Sequence, residues 1–236
     1  MKILVTGCAG FIGYHLSKEL VKENHDVVGI DNLNDYYSVK YKKLRLKNLQ
    51  NYKNFSFYPI GIENLKLLKP VFKKNRFQLV VNLAAQAGVR LSVEKPRAYL
   101  DSNIIGFFNI LDLCKEFKIK RLIYASSSSV YGDNKKTPFS TKNASDHPKN
   151  FYAASKKSNE MFAHSFSRLY EIETIGLRFF TVYGPWGRPD MAVLKFIKNI
   201  DQKKEILVHN NGNHLRDMTY IEDCIMFIKK AINYKF

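Results

Sequence analysis

The chain is short of acidic residues and of cysteine, and it has no long apolar run. Only 21 Asp and Glu stand against 38 Lys and Arg, a formal charge of +17. Such a surplus suits an acidic partner, either a nucleic acid or a phosphorylated small molecule. Lysines spread over solvated helix faces produce the same number. The densest run, Lys40, Lys42, Lys43, Arg45 and Lys47, has nothing around it that resembles a nucleic-acid module. The solvated reading is therefore preferred, and no nucleic acid is expected as a partner. The three cysteines, Cys8, Cys114 and Cys224, are odd in number, far apart and without C-x-x-C spacing. That argues against a disulfide frame and a zinc site and for reduced thiols in a cytoplasm. No apolar stretch approaches the roughly 20 residues that cross a bilayer, so no membrane partner is expected. The first apolar run begins directly behind Met1, so no signal or transit peptide is expected. Internal repeats and low-complexity tracts are absent as well.

What is present is a large apolar fraction. Apolar residues make up 45% of the 236 residues and aromatics 14%, enough for a sizeable core in one large domain, or in one domain and a small second one. Lys2 to Thr6 is a β-branched, apolar run that reads as a buried strand. Gly7, Gly10 and Gly13 follow it, and Phe11 to Lys22 has helical spacing, with Ile12, Leu16, Leu20 and Val21 on one side. Strand, glycine turn and helix together bind a dinucleotide. The glycines let the backbone approach a pyrophosphate, and the helix N-terminus offers it free N–H groups. The spacing is G-x-x-G-x-x-G, so the glycines alone are a weak signal. Val27 to Ile30 strengthens it as a second strand that ends in Asp31. A carboxylate about 20 residues past the glycines accepts hydrogen bonds from a ribose and repels a 2′-phosphate, which favours NAD over NADP.

Further on, Phe55–Tyr58, Phe77–Leu83, Arg121–Ala125 and Thr174–Phe180 read as strands, and Leu65–Lys74, Pro96–Lys118 and Phe151–Tyr170 as helices. The Pro96 helix is apolar nearly all round. One side suits the sheet, and the other suits a second subunit or a covering helix of the same chain. Thr181–Pro189 reads as a Gly/Pro-rich loop, Met191–Ile200 as a helix, Ile206–Val208 as a short strand, Asn210–Asn213 as a turn and Ile221–Ile232 as a last helix. Strand and helix alternate over the first 176 residues, so the expected fold class is α/β with a doubly wound parallel sheet. The expected division is 1–176 for the dinucleotide domain and 177–236 for a small second one.

Tyr152 and Lys156 stand four apart on one helix and so share a face. A neighbouring ammonium favours the phenolate, which makes the pair a candidate general base. Tyr-x-x-x-Lys also occurs at Tyr14/Lys18, Tyr36/Lys40 and Tyr131/Lys135. Only Tyr152/Lys156 opens a helix after a fifth strand, at the sheet edge where such folds bind ligands. Ser126 to Ser129 lie at the same edge, where hydroxyls can hold a substrate oxygen beside the phenol. A Ser-His-Asp hydrolase is the weaker rival: there is no Gly-x-Ser-x-Gly elbow, and His147, His164, His209 and His214 have no evident acid partner.

Seven stretches, ILVTGCAGFIG, DNLNDYY, NLAAQAGVR, YASSSSVYG, YAASKKSNE, LRFFTVYGPWGRPDMA and RDMTYIED, run across the whole chain. In these the sequence resembles the extended short-chain dehydrogenases/reductases of the nucleotide-sugar epimerase type, and most of all the UDP-glucuronate 4-epimerases. The resemblance implies a Rossmann-like fold and NAD as cofactor, with no metal. Gly7, Gly10, Phe11, Ile12 and Gly13 would hold the pyrophosphate, and Asp31 and Asn32 the adenosine ribose. Leu83, Ala84, Ala85 and Gln86 would line the cofactor. Tyr152 would be the base, Lys156 would bind the nicotinamide ribose and tune Tyr152, and Ser127 would be the hydroxyl partner. Ser128, Ser129 and Thr181 would grip a sugar carboxylate, with Arg90, Arg188 and Arg216 as candidates for the negative charges of a UDP-sugar. The implied reaction oxidises C4 to a ketone and reduces it again from the other face. A homodimer through the 96–118 and 151–170 helices is also implied.

The 4,6-dehydratases carry Asp-Glu just after the active-site hydroxyl. Here those places hold Ser128 and Ser129, so elimination lacks its acid and base. A UDP-glucuronate decarboxylase shares the first oxidation and remains open. Two departures from the family are visible. Gly61 stands where an Asp usually contacts adenine, which predicts weaker NAD binding by about 1–2 kcal/mol if one hydrogen bond is lost. The family also continues past the RDMTYIED stretch to complete a substrate domain. A truncated relative that binds NAD without turnover is therefore the alternative expectation.

Overall fold

A computed structural model describes residues 1–143, 145–213 and 215–234. The first half alternates as the sequence predicts: β1 (Lys2–Thr6), α1 (Phe11–Lys22), β2 (Asp26–Ile30), α2 (Val39–Gln50), β3 (Phe55–Tyr58), α3 (Leu65–Asn75) and β4 (Leu79–Asn82). Two short helices, α4 (Leu91–Glu94) and α5 (Pro96–Tyr99), lead into α6 (Gly106–Glu116), β5 (Arg121–Ser127) and α7 (Phe151–Tyr170). Then come β6 (Glu173–Phe179), β7 (Thr181–Tyr183), α8 (Ala192–Asp201), β8 (Met218–Tyr220) and α9 (Ile221–Asn233). Six strands form one sheet in the order β3-β2-β1-β4-β5-β6, and every pair is parallel. The order reverses between β1 and β4, and that switch point opens a crevice at the carboxyl edge.

The sheet is buried on both faces, so its strands are apolar without a polar face. On β1, Ile3 and Val5 enter one core cluster, with Leu16 and Leu20 of α1. Leu4 enters the other, with Leu68 and Phe72 of α3 and Phe107 and Ile110 of α6. The last helix closes the first of these faces: Ile221, Cys224, Ile225, Ile228 and Ile232 of α9 are all in the α1 cluster. Strand β6 runs across residue 176 and pairs with β5 along its whole length, and α9 packs against α1.

Other expectations of the sequence change. The long helix from Pro96 is broken, because Leu100–Ile105 is wound as a π-helix between α5 and α6. The carbonyl of Asn103 there accepts a bond from the Asn159 side-chain amide (2.7 Å), so part of its bonding leaves the helix. Its outer face leaves Ile105 and Phe108 exposed. Ser126 and Ser127 are the last two residues of β5, not part of the loop after it. Thr181–Tyr183 is a strand paired in parallel with β8, not a loop, whereas Ile206–Val208 carries no strand.

The basic helix α2 departs most from its composition. Lys42 and Arg45 are buried, against the solvated reading. Arg45 Nη1 donates to the carbonyl of Ala9 in the glycine turn (2.9 Å) and to the Tyr37 hydroxyl (2.7 Å). Its Nη2 donates to the carbonyls of Trp186 (2.5 Å) and Gly187 (3.2 Å). The guanidinium lies 4.8 Å over the Tyr41 ring, and Trp186 packs on the same ring. One side chain thus joins the glycine turn to a loop about 140 residues later. Arg45→Ala leaves these carbonyls without a donor, and it is expected to cost about 3 kcal/mol in urea unfolding. Arg45→Lys recovers only part of this, because an ammonium cannot span the four acceptors.

Candidate active site

The glycine turn is shaped by close backbone contact. Gly7 has φ +71° and lies so near the β4 turn that a Cβ would stand 2.8 Å from Ala84 N. A Cβ on Gly13 would strike the Gly7 carbonyl, 2.8 Å from its carbon. Gly10 N donates to Gly7 O (2.9 Å), and the residues after it start α1. The open N–H groups at the start of α1 therefore face the crevice, which suits a phosphate.

Asp31 stands at the tip of β2, nearly buried. Its Oδ2 accepts from Ala9 N (3.1 Å) and its Oδ1 from Leu33 N (2.8 Å). Burial raises its carboxyl above the usual range, against the pull of the Leu33 N–H, Lys42, the Ala9 N–H and Arg45. Asp31, Asn32, Leu83, Ala84 and Ala85 line one small cavity with Gly7 and Gly10. Gln86 is the exception among the expected cofactor residues, because it lines no wall. Its N–H donates to Asn103 Oδ1 (2.8 Å), and its side chain bonds Ala87 O and the Asn34 amide. It braces the loop that the alanines present.

The cavity continues into a cleft of about 1350 Å³. Phe11, Ile12 and Gly13 line it, together with Ser127, Ser128, Ser129, Tyr152 and Lys156. Arg90, Thr181, Arg188 and Arg216 line it too. The structure thus brings the expected site residues together from β1, β5, α7 and β7, with Gln86 set behind. Arg188 is not a free charge: its Nε and Nη2 hold Asp190 (3.1 and 2.5 Å), and its guanidinium lies 5.3 Å over the Tyr36 ring. Arg216 is exposed and donates to its neighbour's carbonyl (2.8 Å).

The electrostatics differ from the simple Tyr–Lys reading. Burial pushes the Tyr152 phenol above its ordinary value, while the Ser127 hydroxyl and the Arg188 charge pull it down. Lys156, only 2% exposed, donates to the carbonyl of Ala125 (2.9 Å), and burial drives its ammonium down to about 8. Desolvation is the largest cause at both groups, which spacing alone cannot reveal.

Two parts of the site were not foreseen. Asn103, on the π-helical turn, donates to Ser155 Oγ (3.0 Å) and Gln86 O (3.1 Å), so it ties the alanine loop to the tyrosine helix. Its only sequence signal is an Asn inside an apolar helix. Glu160 takes the Ser126 hydroxyl (2.6 Å) and both forks of Arg178 (2.8 Å each), which anchors the end of β5 under the serines. No group of three or more metal-ligating side chains occurs among the described residues.

Residues 3–235 match the model of the NAD dependent epimerase/dehydratase family, and the chain belongs to that family. It is 56% identical over 232 residues to the protein CapI of Staphylococcus aureus, spanning 98% of this chain and 69% of that protein. It is 45% identical over 225 residues to a probable UDP-glucuronate 4-epimerase of Rhizobium meliloti, spanning 95% of this chain and 66% of the relative. The crystal structure of the UDP-glucuronic acid 4-epimerase from Bacillus cereus, in complex with UDP-glucuronic acid and NAD, superposes with a TM-score of 0.94 at 36% identity. The match covers 100% of this chain and 74% of that one. The cofactor is NAD, and the cradle fits it: a turn with no room for side chains meets a buried carboxylate, which suits a ribose and repels a 2′-phosphate.

The Lys156 shift has a direct check. In a lysine side-chain NMR titration without added nucleotide, one signal should show a midpoint near 8 and vanish in Lys156→Met. The folded value is below the ordinary one, so this lysine adds stability as pH rises from about 8 towards 10.5, and costs stability below it.

Proposed function

We propose that the protein interconverts UDP-glucuronate and UDP-galacturonate at C4. The observation that carries this reading is the meeting, in one cleft, of the glycine turn with Ser127, Tyr152 and Lys156 and with the hydroxyls of Ser128, Ser129 and Thr181. Named UDP-glucuronate 4-epimerases among the relatives support the choice of sugar.

Bound in its oxidised form, NAD supplies a hydride acceptor and a positive charge. Gly7, Gly10, Phe11, Ile12 and Gly13 hold its pyrophosphate, Asp31 and Asn32 its ribose. Tyr152 takes the proton of the 4-hydroxyl, and Ser127 holds that oxygen. Lys156 binds the second ribose, and with its low pKa it exchanges protons near neutral pH. The 4-keto uronate formed in the reaction is a β-keto acid, prone to lose CO₂. Ser128, Ser129 and Thr181 grip its carboxylate in an orientation that disfavours loss, then the ketone turns and is reduced from its other face. Arg90, Arg188 and Arg216 line the walls against which the diphosphate and carboxylate lie.

Incubation with UDP-glucuronate and NAD, followed by NMR, is expected to yield UDP-galacturonate. Tyr152→Phe is expected to lower turnover by about 10²–10⁴-fold, the scale of general base catalysis. UDP-pentose with CO₂ would replace the epimerase by the decarboxylase. NAD binding without turnover would favour a non-catalytic binder.

We also propose that two copies associate through α6 and α7. Phe108 (46% exposed), Met161 (60%) and Leu169 (67%) leave apolar surface on these helices, and Phe108 packs edge-on against Phe166 at 5.9 Å. Sedimentation velocity should show a dimer, and Phe108→Glu should give a monomer that still binds NAD. No described helix is long and apolar enough to cross a membrane, and Cys8, Cys114 and Cys224 are buried free thiols, which suits a cytoplasmic protein.

A further inference from the structure

The loop after β2 carries Tyr36 into the wall of the cleft, beside Arg188 and Asp190. Those two residues are 152 and 154 positions further along the chain. The three side chains form one hydrogen-bonded group. The Tyr36 hydroxyl donates to Asp190 Oδ2 (3.2 Å) and accepts from Arg188 Nη2 (3.4 Å). Arg188 holds the same carboxylate through Nε (3.1 Å) and Nη2 (2.5 Å), and its guanidinium lies 5.3 Å from the centre of the Tyr36 ring. Tyr36 reaches this place because residue 88 is glycine. Gly88 has φ +102°, and a Cβ on it would stand 3.0 Å from Tyr36 Cζ.

The group keeps its charges. Burial works against the Arg188 guanidinium, and the Asp190 bonds and charge outweigh it, so its pKa rises. Burial likewise raises the Asp190 carboxyl, and the Arg188 fork lowers it by more. Nε and Nη2 of Arg188 are spent on these contacts. Nη1 makes no bond among the described residues and is not sealed from solvent, so it is free for a ligand in the cleft. A guanidinium on a long side chain loses rotamer freedom when it grips an anion. Here that freedom is already lost, to a carboxylate fork on one side and an aromatic face on another.

Arg188 also bears on the reacting end of the cleft. Burial raises the Tyr152 phenol, and the Ser127 hydroxyl and the Arg188 charge lower it. An anion that meets Arg188 therefore belongs to the sugar and not to the diphosphate. We propose that Tyr36 is a positioning residue, which together with Asp190 holds the Arg188 guanidinium so that Nη1 meets the acidic sugar. The inference rests on the UDP-uronate reading of the site and adds to it a side chain from the cofactor side of the cleft.

The test is calorimetry of UDP-glucuronate and of UDP on the NAD-loaded Tyr152→Phe protein, in which turnover is slowed. Tyr36→Leu removes the ring and the hydroxyl. It should weaken UDP-glucuronate by about tenfold, the scale of one hydrogen bond to a charged group, and leave UDP unchanged. Tyr36→Phe keeps the ring and should lose less. In an Arg188→Met background, Tyr36→Leu should have no further effect, because no guanidinium remains to be held. Unchanged or tighter binding of UDP-glucuronate in Tyr36→Leu would overturn the assignment. So would an equal loss for UDP, or a loss that persists beside Arg188→Met. Turnover of the wild-type protein is followed separately, so a missing epimerase activity leaves the binding ratio readable. Binding of neither ligand by the NAD-loaded Tyr152→Phe protein would overturn both readings.

Discussion

Everything in this molecule depends on how closely two backbone turns meet. Gly7 at the end of β1 lies against Leu83 and Ala84 at the end of β4, with no room for one methyl group between them. The contact sits where the strand order reverses, so it sets the floor of the crevice. A side chain on Gly7 would push β1 and β4 apart or lift the start of α1 from the cleft. The small residues Ala84 and Ala85 make the same demand from the other side. Apolar packing supplies the stability of the sheet, while this contact decides that its edge is a cradle.

Around that floor, the site is held by polar groups that are buried and paired. Arg45 joins the glycine turn to the Trp186–Gly187 loop. Asn103 joins the alanine loop to the tyrosine helix, and Glu160 joins the serines to Arg178. Each lies one layer behind the groups placed for chemistry and leaves them little freedom. Buried polar groups are costly when unpaired, so such links specify one arrangement rather than many. The π-helical turn at Leu100–Ile105 belongs to the same scheme, because it leaves Asn103 facing inward between two elements that an unbroken α-helix would merely pass.

The electrostatic behaviour of the site is collective too. Tyr152 and Lys156 both move away from the charged form, since burial penalises phenolate and ammonium alike. Ser127 and Arg188 oppose this at the phenol. Burial alone therefore favours the neutral phenol and the neutral amine, and the positive charge of an oxidised nicotinamide would act on the phenol in the same direction as Ser127 and Arg188.

Local pattern determined much of this protein. The strand–glycine–helix opening, the alternation of strands and helices, Asp31 after β2 and the Ser, Tyr and Lys positions all follow from short-range periodicity and turn chemistry. Those forces act over a few residues and so are legible in a single chain. What tertiary structure alone decided involves contacts between distant residues. Arg45 looks like part of a solvated run, yet it is buried where the Trp186–Gly187 loop, far along the chain, closes over it. Thr181–Tyr183 looks like a loop and becomes a strand because Met218–Tyr220 comes alongside. The last helix follows β8 in the chain, and the face it buries is set by α1 and β1 at the other end of the sequence. In each case the deciding energy is burial or pairing between residues whose proximity the chain order does not encode.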